Sequence, residues 1–432
     1  MHRLTINNLG PIDECELTCR PFMVLTGEQA SGKSTVAKAL YYFRTVKDDV
    51  LEAVMSVFQP GYLKIQPQSK SLIKTLRETL RKKFLRMFGY SVSELRQGMK
   101  IRYFYTKNYS ITVRLIISRT RNSKILNVEL NKSLTEAVNE YEKRLASNTS
   151  AFTKSQLVLI ASEINAIFGD DHETIYIPSG RSMLSVLSSY MRPFSLQGDS
   201  GLDYCTQRYI DSLADIKPEL TGGLEGLTDY YRTGSNIPQS WEQAQQLIDR
   251  VICGSYRIDG GEERIILKDG KSVRINFASS GQQDALWITN LLYYYLVSGN
   301  RPAMFIIEEP ESHLFPSSQK YIMELVALVH NQGHSMLVTT HSPYVLGALN
   351  NLLYAAQFRR TGRQEKAARV IPSSLWLDAE KFSAYFVKSG NVEDCIDHDM
   401  DLIDNGRIDE ISGVINNEYD RLFDLEEDDA AR

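Results

Sequence analysis

The chain has 432 residues, of which 43% are hydrophobic and 24% charged, with a net charge of −4. These are the proportions of a soluble globular protein with one large domain carrying insertions, or with two domains. No apolar run reaches the roughly eighteen residues of a membrane span; Ala285 to Val297, the longest candidate, reads as a buried helix. Five cysteines without C-x-x-C spacing, and a strand-like first segment in place of a signal peptide, point to reduced thiols in the cytoplasm.

In chain order, three short strands are expected at Leu4-Thr5-Ile6, Glu14 to Thr18 and Phe22 to Leu25, then a glycine loop and a helix from Ser34 to Phe43. A helix over 71 to 88 follows from Ile73, Leu76, Leu80, Phe84 and Met87, which recur every three or four residues. Lys70, Lys74, Arg77 and Arg81 repeat with the same period on another face. Residues 101 to 118 alternate around Lys107-Asn108 as a hairpin, and helices are expected at 134–145 and 154–168. A strand, Glu173 to Pro178, enters Ser179-Gly180-Arg181. Residues 182 to 254 read as mostly helical, with loops at Gly198 to Gly201 and Thr221 to Gly223. A hairpin (Arg264 to Leu267, Ser272 to Phe277) delivers the chain to Ser279-Ser280-Gly281, where a helix starts and runs to Val297. Met304 to Glu308 and Ser335 to Thr340 flank a helix over 317–330, the β-α-β pattern of a parallel sheet.

Charge is segregated along this order. Between Lys64 and Lys124 sixteen Lys or Arg stand against Glu78 and Glu94, whereas 378 to 432 carries seventeen Asp or Glu against five Lys or Arg. Such segregation marks a partner surface, a solvated face, or two ends that face each other. The irregular group Asp394, Asp397, His398, Asp399 and Asp401 reads as a solvated or docking face rather than a metal cluster.

Four separated segments carry chemistry. Gly27-Glu28-Gln29-Ala30-Ser31-Gly32-Lys33-Ser34-Thr35 fits G-x-x-x-x-G-K-[ST] between a strand and a helix. Its glycines let backbone N–H groups cradle phosphate, Lys33 reaches the β- and γ-phosphates, and Ser34 takes magnesium. Phe305-Ile306-Ile307 is a buried strand that places Glu308 and Glu309 at its carboxyl end. There Glu308 holds the magnesium, and Glu309, pointing to the other side by strand alternation, polarises the attacking water. His341 ends a second such strand and suits a hydrogen bond to the γ-phosphate or the water. Ser279-Ser280-Gly281-Gln282 offers a hydroxyl and free N–H groups at a helix start.

The order of these segments resembles the ABC-type ATPase heads of the RecF, SMC and OLD proteins. Glu308-Glu309-Pro310-Glu311-Ser312-His313-Leu314-Phe315-Pro316 looks like that branch's EEPE-x-HL-x-P segment, and Ile177-Pro178-Ser179-Gly180-Arg181 like its Ile-Pro-x-x-Arg segment. The likeness covers roughly 1–45 and 255–350. It implies an α/β fold, a P-loop ATPase head of mixed and parallel sheet with flanking helices and two mainly helical insertions. The expected divisions are an N-terminal lobe (1–45 with 96–180), a basic helical insertion (46–95), a helical insertion (181–254), a C-terminal lobe (255–377) and an acidic tail (378–432).

The resemblance further implies ATP and Mg2+ as cofactors and a head-to-head dimer or higher oligomer, in which Ser279 to Gln282 of one copy caps ATP on Lys33 of the other. Ala278 and Ser280 replace the usual signature leucine and glycine, Gln29-Ala30 replace Asn-Gly, and Glu308 stands where aspartate is commoner, so slow hydrolysis is expected. The 46–100 segment is too short for an SMC coiled coil, and about ninety residues after His341 are too few for an OLD-type nuclease. Compact heads of this kind resemble the ATPase subunits of PARIS- and Septu-type anti-phage systems, which act with a separate effector, here expected to be a nuclease. Lys70, Lys74, Arg77, Arg81 and Arg181 are then candidates for partner contact. The rival is a RecF-like repair ATPase that binds DNA through the basic region. A transporter subunit fits poorly, because the EEPE segment and the basic insertion do not suit a membrane coupling surface.

Overall fold

The computed structural model describes residues 2–58, 71–118, 123–146, 152–181, 202–232, 238–259, 262–299, 302–404, 406 and 413–423. Lys70, the Gly198 to Gly201 loop and residues 424–432 lie outside the described residues.

An eleven-stranded sheet organises the chain. Its strands are β1 (Arg3–Leu9), β2 (Ile12–Thr18), β3 (Phe22–Gly27), β4 (Lys100–Phe104), β5 (Ser110–Ser118), β6 (Ser123–Leu130) and β7 (Glu173–Ile177). A separate three-stranded sheet holds β8 (Gly254–Asp259), β9 (Glu262–Leu267) and β10 (Ser272–Arg274), after which β11 (Ala303–Glu308), β12 (Ser335–Thr340), β13 (Phe382–Lys388) and β14 (Asn391–Asp394) return to the large one. The order is β6-β5-β4-β1-β2-β14-β13-β3-β12-β11-β7. From β13 to β7 all neighbours are parallel, and from β6 to β2 all are antiparallel. This is the mixed and parallel sheet expected.

Side-chain alternation splits the core into two layers. Phe22, Val24, Phe305, Ile307, Met336 and Val338 face the layer of the Ser280–Ser298, Pro316–His330 and Pro343–Gln357 helices. Met23, Leu25, Met304, Ile306 and Leu337 face the layer of the Lys33–Arg44, Val46–Phe58 and Leu72–Phe88 helices. Strands covered on both sides read as continuous apolar runs, which is why β3, β11 and β12 were legible.

The Leu72–Phe88 helix, within the expected basic helical insertion, shares the core of β1: Leu72, Leu76, Leu80, Phe84 and Met87 are buried there, each contributing roughly 1.5–3 kcal/mol. One of its basic residues, Lys83, turns inward to pair with Asp49 at 2.5 Å and Thr45 at 2.7 Å. Residues 378–432 are not simply a tail, because β13 pairs in parallel with β3 from Phe382↔Phe22 to Val387↔Gly27. The alternation of Phe382, Ala384 and Phe386 satisfies the buried sheet despite the acidic surroundings. Three helices fill the described part of 202–254, at Tyr204–Ile216, Gly223–Arg232 and Trp241–Val251; the loop expected at Thr221 to Gly223 is a 3-10 turn running into the second of them.

Removing residues 378–432 therefore exposes the edge of β3 and is expected to abolish the cooperative unfolding transition. Ending the chain after residue 404 preserves it. Thermal denaturation followed by circular dichroism of the two truncated proteins checks this, and a cooperative melt of the shorter one contradicts the sheet assignment.

Candidate active site

The carboxyl ends of three adjacent parallel strands assemble the site. Thr26 on β3 pairs with Thr340 on β12, and Thr339 with Glu308 on β11, so the phosphate loop, His341 and the two glutamates emerge side by side. Open α/β sheets bind ligands at this edge.

Both loop glycines are required by geometry. Gly27 (φ 138°) lies so close to β13 that a Cβ would stand 2.2 Å from the Val387 carbonyl oxygen, and Gly32 (φ 111°) would place one 2.5 Å from Ile12 Cδ1. Glu28, Gln29, Ala30 and Ser34 are exposed, Ser31 and Thr35 half-buried, and the Lys33–Arg44 helix starts directly on the loop.

Lys33 is buried and spends its three protons inside the protein. Nζ donates to the carbonyls of Gly27 (3.0 Å) and Glu28 (2.7 Å) and lies 3.2 Å from His341 Nδ1. An ammonium only donates, so Nδ1 accepts, and the proton of the neutral ring resides on Nε2. Nε2 in turn donates to Glu309 Oε1 at 3.0 Å. Lys33, His341 and Glu309 thus form one hydrogen-bonded chain. Burial lowers Lys33 from 10.5 to about 8, against the raising effect of Glu309, Glu311, Glu308 and Glu28. The His341 hydrogen bond, followed by the Ser312 hydrogen bond and the nearby charges, holds Glu309 below the usual glutamate range although burial opposes it, so its carboxylate is ionised at neutral pH.

Glu309 reaches His341 by a backbone kink and not by the strand alternation expected. β11 ends at Glu308, and Glu309 takes φ 44°, left-handed backbone that costs a non-glycine residue about 1–3 kcal/mol. The kink is held from both sides. Glu309 N–H donates to the Thr339 carbonyl at 2.9 Å, while Arg181 donates from Nη1 to the Pro178 and Glu308 carbonyls and from Nη2 to the Glu309 carbonyl. Arg181 is fully buried, so its assignment to partner contact is corrected: four residues after β7, its guanidinium turns into the sheet edge.

Glu308 is buried beside the Tyr176 hydroxyl, with Oε2 accepting from Ser179 N–H at 3.3 Å; among the described residues Oε1 and the buried Ser31 hydroxyl have no partner within hydrogen-bond distance. A buried carboxylate oxygen with so few donors fits a cation, and a glycine loop around a buried lysine fits phosphate. Two contributors were not assigned from sequence. Glu311, pushed up by burial, accepts from Thr340 Oγ1 (2.7 Å) and His341 N–H (2.8 Å), fixing the histidine's backbone. Ser312 Oγ donates to Glu309 Oε2 at 3.3 Å. The E-x-E-S spacing after the strand was the available signal.

Ser279 and Ser280 are exposed at the start of the Ser280–Ser298 helix, while Gly281 is buried. Ser279 and Gln282 form a reciprocal capping box, and Gln282 Nε2 also donates to the Ile252 carbonyl at 2.8 Å. Among the described residues this helix start makes no hydrogen bond to the phosphate loop of its own chain. On the Leu72–Phe88 helix Lys74 and Arg81 are exposed and Arg77 half-buried.

A family model described as AAA ATPase domain matches residues 1–346. The chain belongs to that family. It is accordingly an ATPase, which implies nucleotide binding. No curated protein matches the chain. Among solved structures, the SMC head domain from Thermotoga maritima is similar at 12% identity over 91% of this chain and 97% of that one, with a TM-score of 0.34. The SMC head bound to the C-terminal winged-helix domain of ScpA is 10% identical over 91% and 96%, with a TM-score of 0.39. An SMC head with an extended coiled coil, bound to the C-terminal domain of ScpA derived from Pyrococcus furiosus, gives the same 10%, 91%, 96% and 0.39. Among the described residues no helix of this ATPase is long and apolar enough to cross a membrane.

The lowered Lys33 pKa sets a pH dependence. Its folded value of about 8 lies below the unfolded 10.5, so the burial penalty is complete below pH 8 and is relieved as pH rises through that window. A nucleotide phosphate needs the ammonium. ATP affinity is expected to be flat below pH 8 and to fall by up to about tenfold per unit above it, with proton uptake on binding. Calorimetric titration in buffers of different ionisation enthalpy measures both; a pH-independent Kd without proton uptake contradicts the assignment.

Proposed function

We propose that this chain is an ATP-operated switch whose site is held closed on itself until nucleotide arrives. The Lys33–His341–Glu309 chain carries the reading: the phosphate-binding cation and the base are tied together through one imidazole. Nucleotide phosphate replaces the Gly27 and Glu28 carbonyls as acceptors for Lys33, which frees His341 Nδ1 and lets the histidine turn toward the γ-phosphate. Glu309 then takes a proton from the attacking water. Glu308 and Ser34 would hold magnesium, which when bound offsets the charge on the β- and γ-phosphates.

The exposed Ser279-Ser280 helix start supports a composite site, in which a second copy presents these groups to the nucleotide on Lys33. On this reading the ATP-bound cytoplasmic assembly controls a separate effector, a nuclease of an anti-phage system. The exposed Lys74 and Arg81 keep a second reading open, a RecF-like ATPase that tracks a phosphate backbone. DNA-stimulated hydrolysis favours the second reading, and a co-purifying effector the first.

Glu309→Gln is expected to slow hydrolysis by about 10²- to 10⁴-fold while ATP still binds, and to leave a long-lived ATP-bound dimer or higher assembly. Adding Ser279→Arg should dissolve that assembly without weakening ATP binding to the single subunit. Turnover assays and light scattering after size exclusion read both. Normal hydrolysis by Glu309→Gln removes it as the base, and an assembly that survives Ser279→Arg removes the shared site.

A further inference from the structure

We propose that Arg181 is a positioning residue for hydrolysis: its guanidinium, bridging the successive carbonyls of Glu308 and Glu309, sets the bend that aims the Glu309 carboxylate. The inference rests on the assignment of Glu309 as the base.

In an extended strand, successive carbonyls point to opposite edges, so one side chain cannot hydrogen-bond two in a row. Here Nη1 reaches the Glu308 carbonyl at 2.6 Å and Nη2 the Glu309 carbonyl at 2.9 Å. The backbone must turn between them, and the turn is the φ of 44° at Glu309. A planar fork with fixed spacing enforces that turn, whereas an ammonium is a point that cannot define it. The third contact, to the Pro178 carbonyl, anchors the fork to the end of β7, the outer parallel neighbour of β11. The bend carries Glu309 out of the alternation of β11, and its carboxylate meets His341 Nε2 and the Ser312 hydroxyl.

A guanidinium that is fully buried and hydrogen-bonded to carbonyls is a costly way to end a strand. A purely packing role would be filled by an apolar side chain. The two-carbonyl geometry is what an apolar residue cannot supply.

Arg181→Lys and Arg181→Ala are compared for turnover, KM, ATP affinity and melting temperature, each alone and combined with Glu309→Gln. A misaimed base predicts that kcat falls by about 10²-fold. KM and ATP affinity should stay within about threefold, since one uniform binding interaction is not lost. Millimolar methylguanidinium should restore part of the Arg181→Ala rate, and neither variant should slow Glu309→Gln further. Full turnover by Arg181→Lys, losses that add to Glu309→Gln, or loss of ATP binding or of the folded state in both variants would each overturn the proposal in favour of a role in folding or none. Normal turnover by Glu309→Gln itself overturns the base assignment, and this inference with it.

Discussion

A buried ammonium must give all three of its protons to acceptors, and in this protein Lys33 gives them to two loop carbonyls and one imidazole. The rest of the site follows from that constraint. Because Lys33 only donates, His341 is fixed as an acceptor at Nδ1 and a donor at Nε2, and the donor end binds the Glu309 carboxylate. The three groups are therefore joined in one hydrogen-bonded chain. In the function proposed above, nucleotide opens that chain by offering Lys33 better acceptors, which couples binding at one strand end to the release of the proposed base at another.

The sheet makes such a circuit possible. β12 lies between β3 and β11, so the imidazole at its end bridges groups from strands that are not neighbours. Each component is then braced from behind. Val387 of β13 presses against Gly27, Glu311 holds the His341 backbone, and Arg181 with Thr339 holds the kinked Glu309. The bracing groups are mostly buried, whereas the groups expected to meet a second copy, Ser279 and Ser280, stand exposed.

The phosphate loop, β11 and β12 were legible because each is a local signal: a glycine pattern, or a continuous apolar run ended by a polar group. The Lys154–Phe168 helix was read with the same ends, since Thr153 and Gln156 cap it and Gly169 stops it. What escaped was non-local. β13 joins β3 across more than half the chain, and its acidic surroundings disguised a buried strand. The left-handed backbone at Glu309 has no glycine to announce it, although its carboxylate does meet other neighbours than that of Glu308, as expected. Arg181 reads from sequence as a surface charge; only its three carbonyl acceptors show that it belongs inside. Lys83, one of the basic region's residues, likewise turns inward, to Asp49 on another helix.

The central claim, that Lys33 and Glu309 are joined through the neutral ring of His341, is tested most directly by nitrogen-15 NMR of labelled histidine, assigned with His341→Gln. Free protein at neutral pH should show His341 with its proton on Nε2 and a hydrogen-bonded, unprotonated Nδ1. ATP with magnesium, added to the Glu309→Gln protein so that it is not consumed, should shift Nδ1 as Lys33 leaves it. A proton on Nδ1 in the free protein, or a resonance that saturating nucleotide leaves unmoved, contradicts the account.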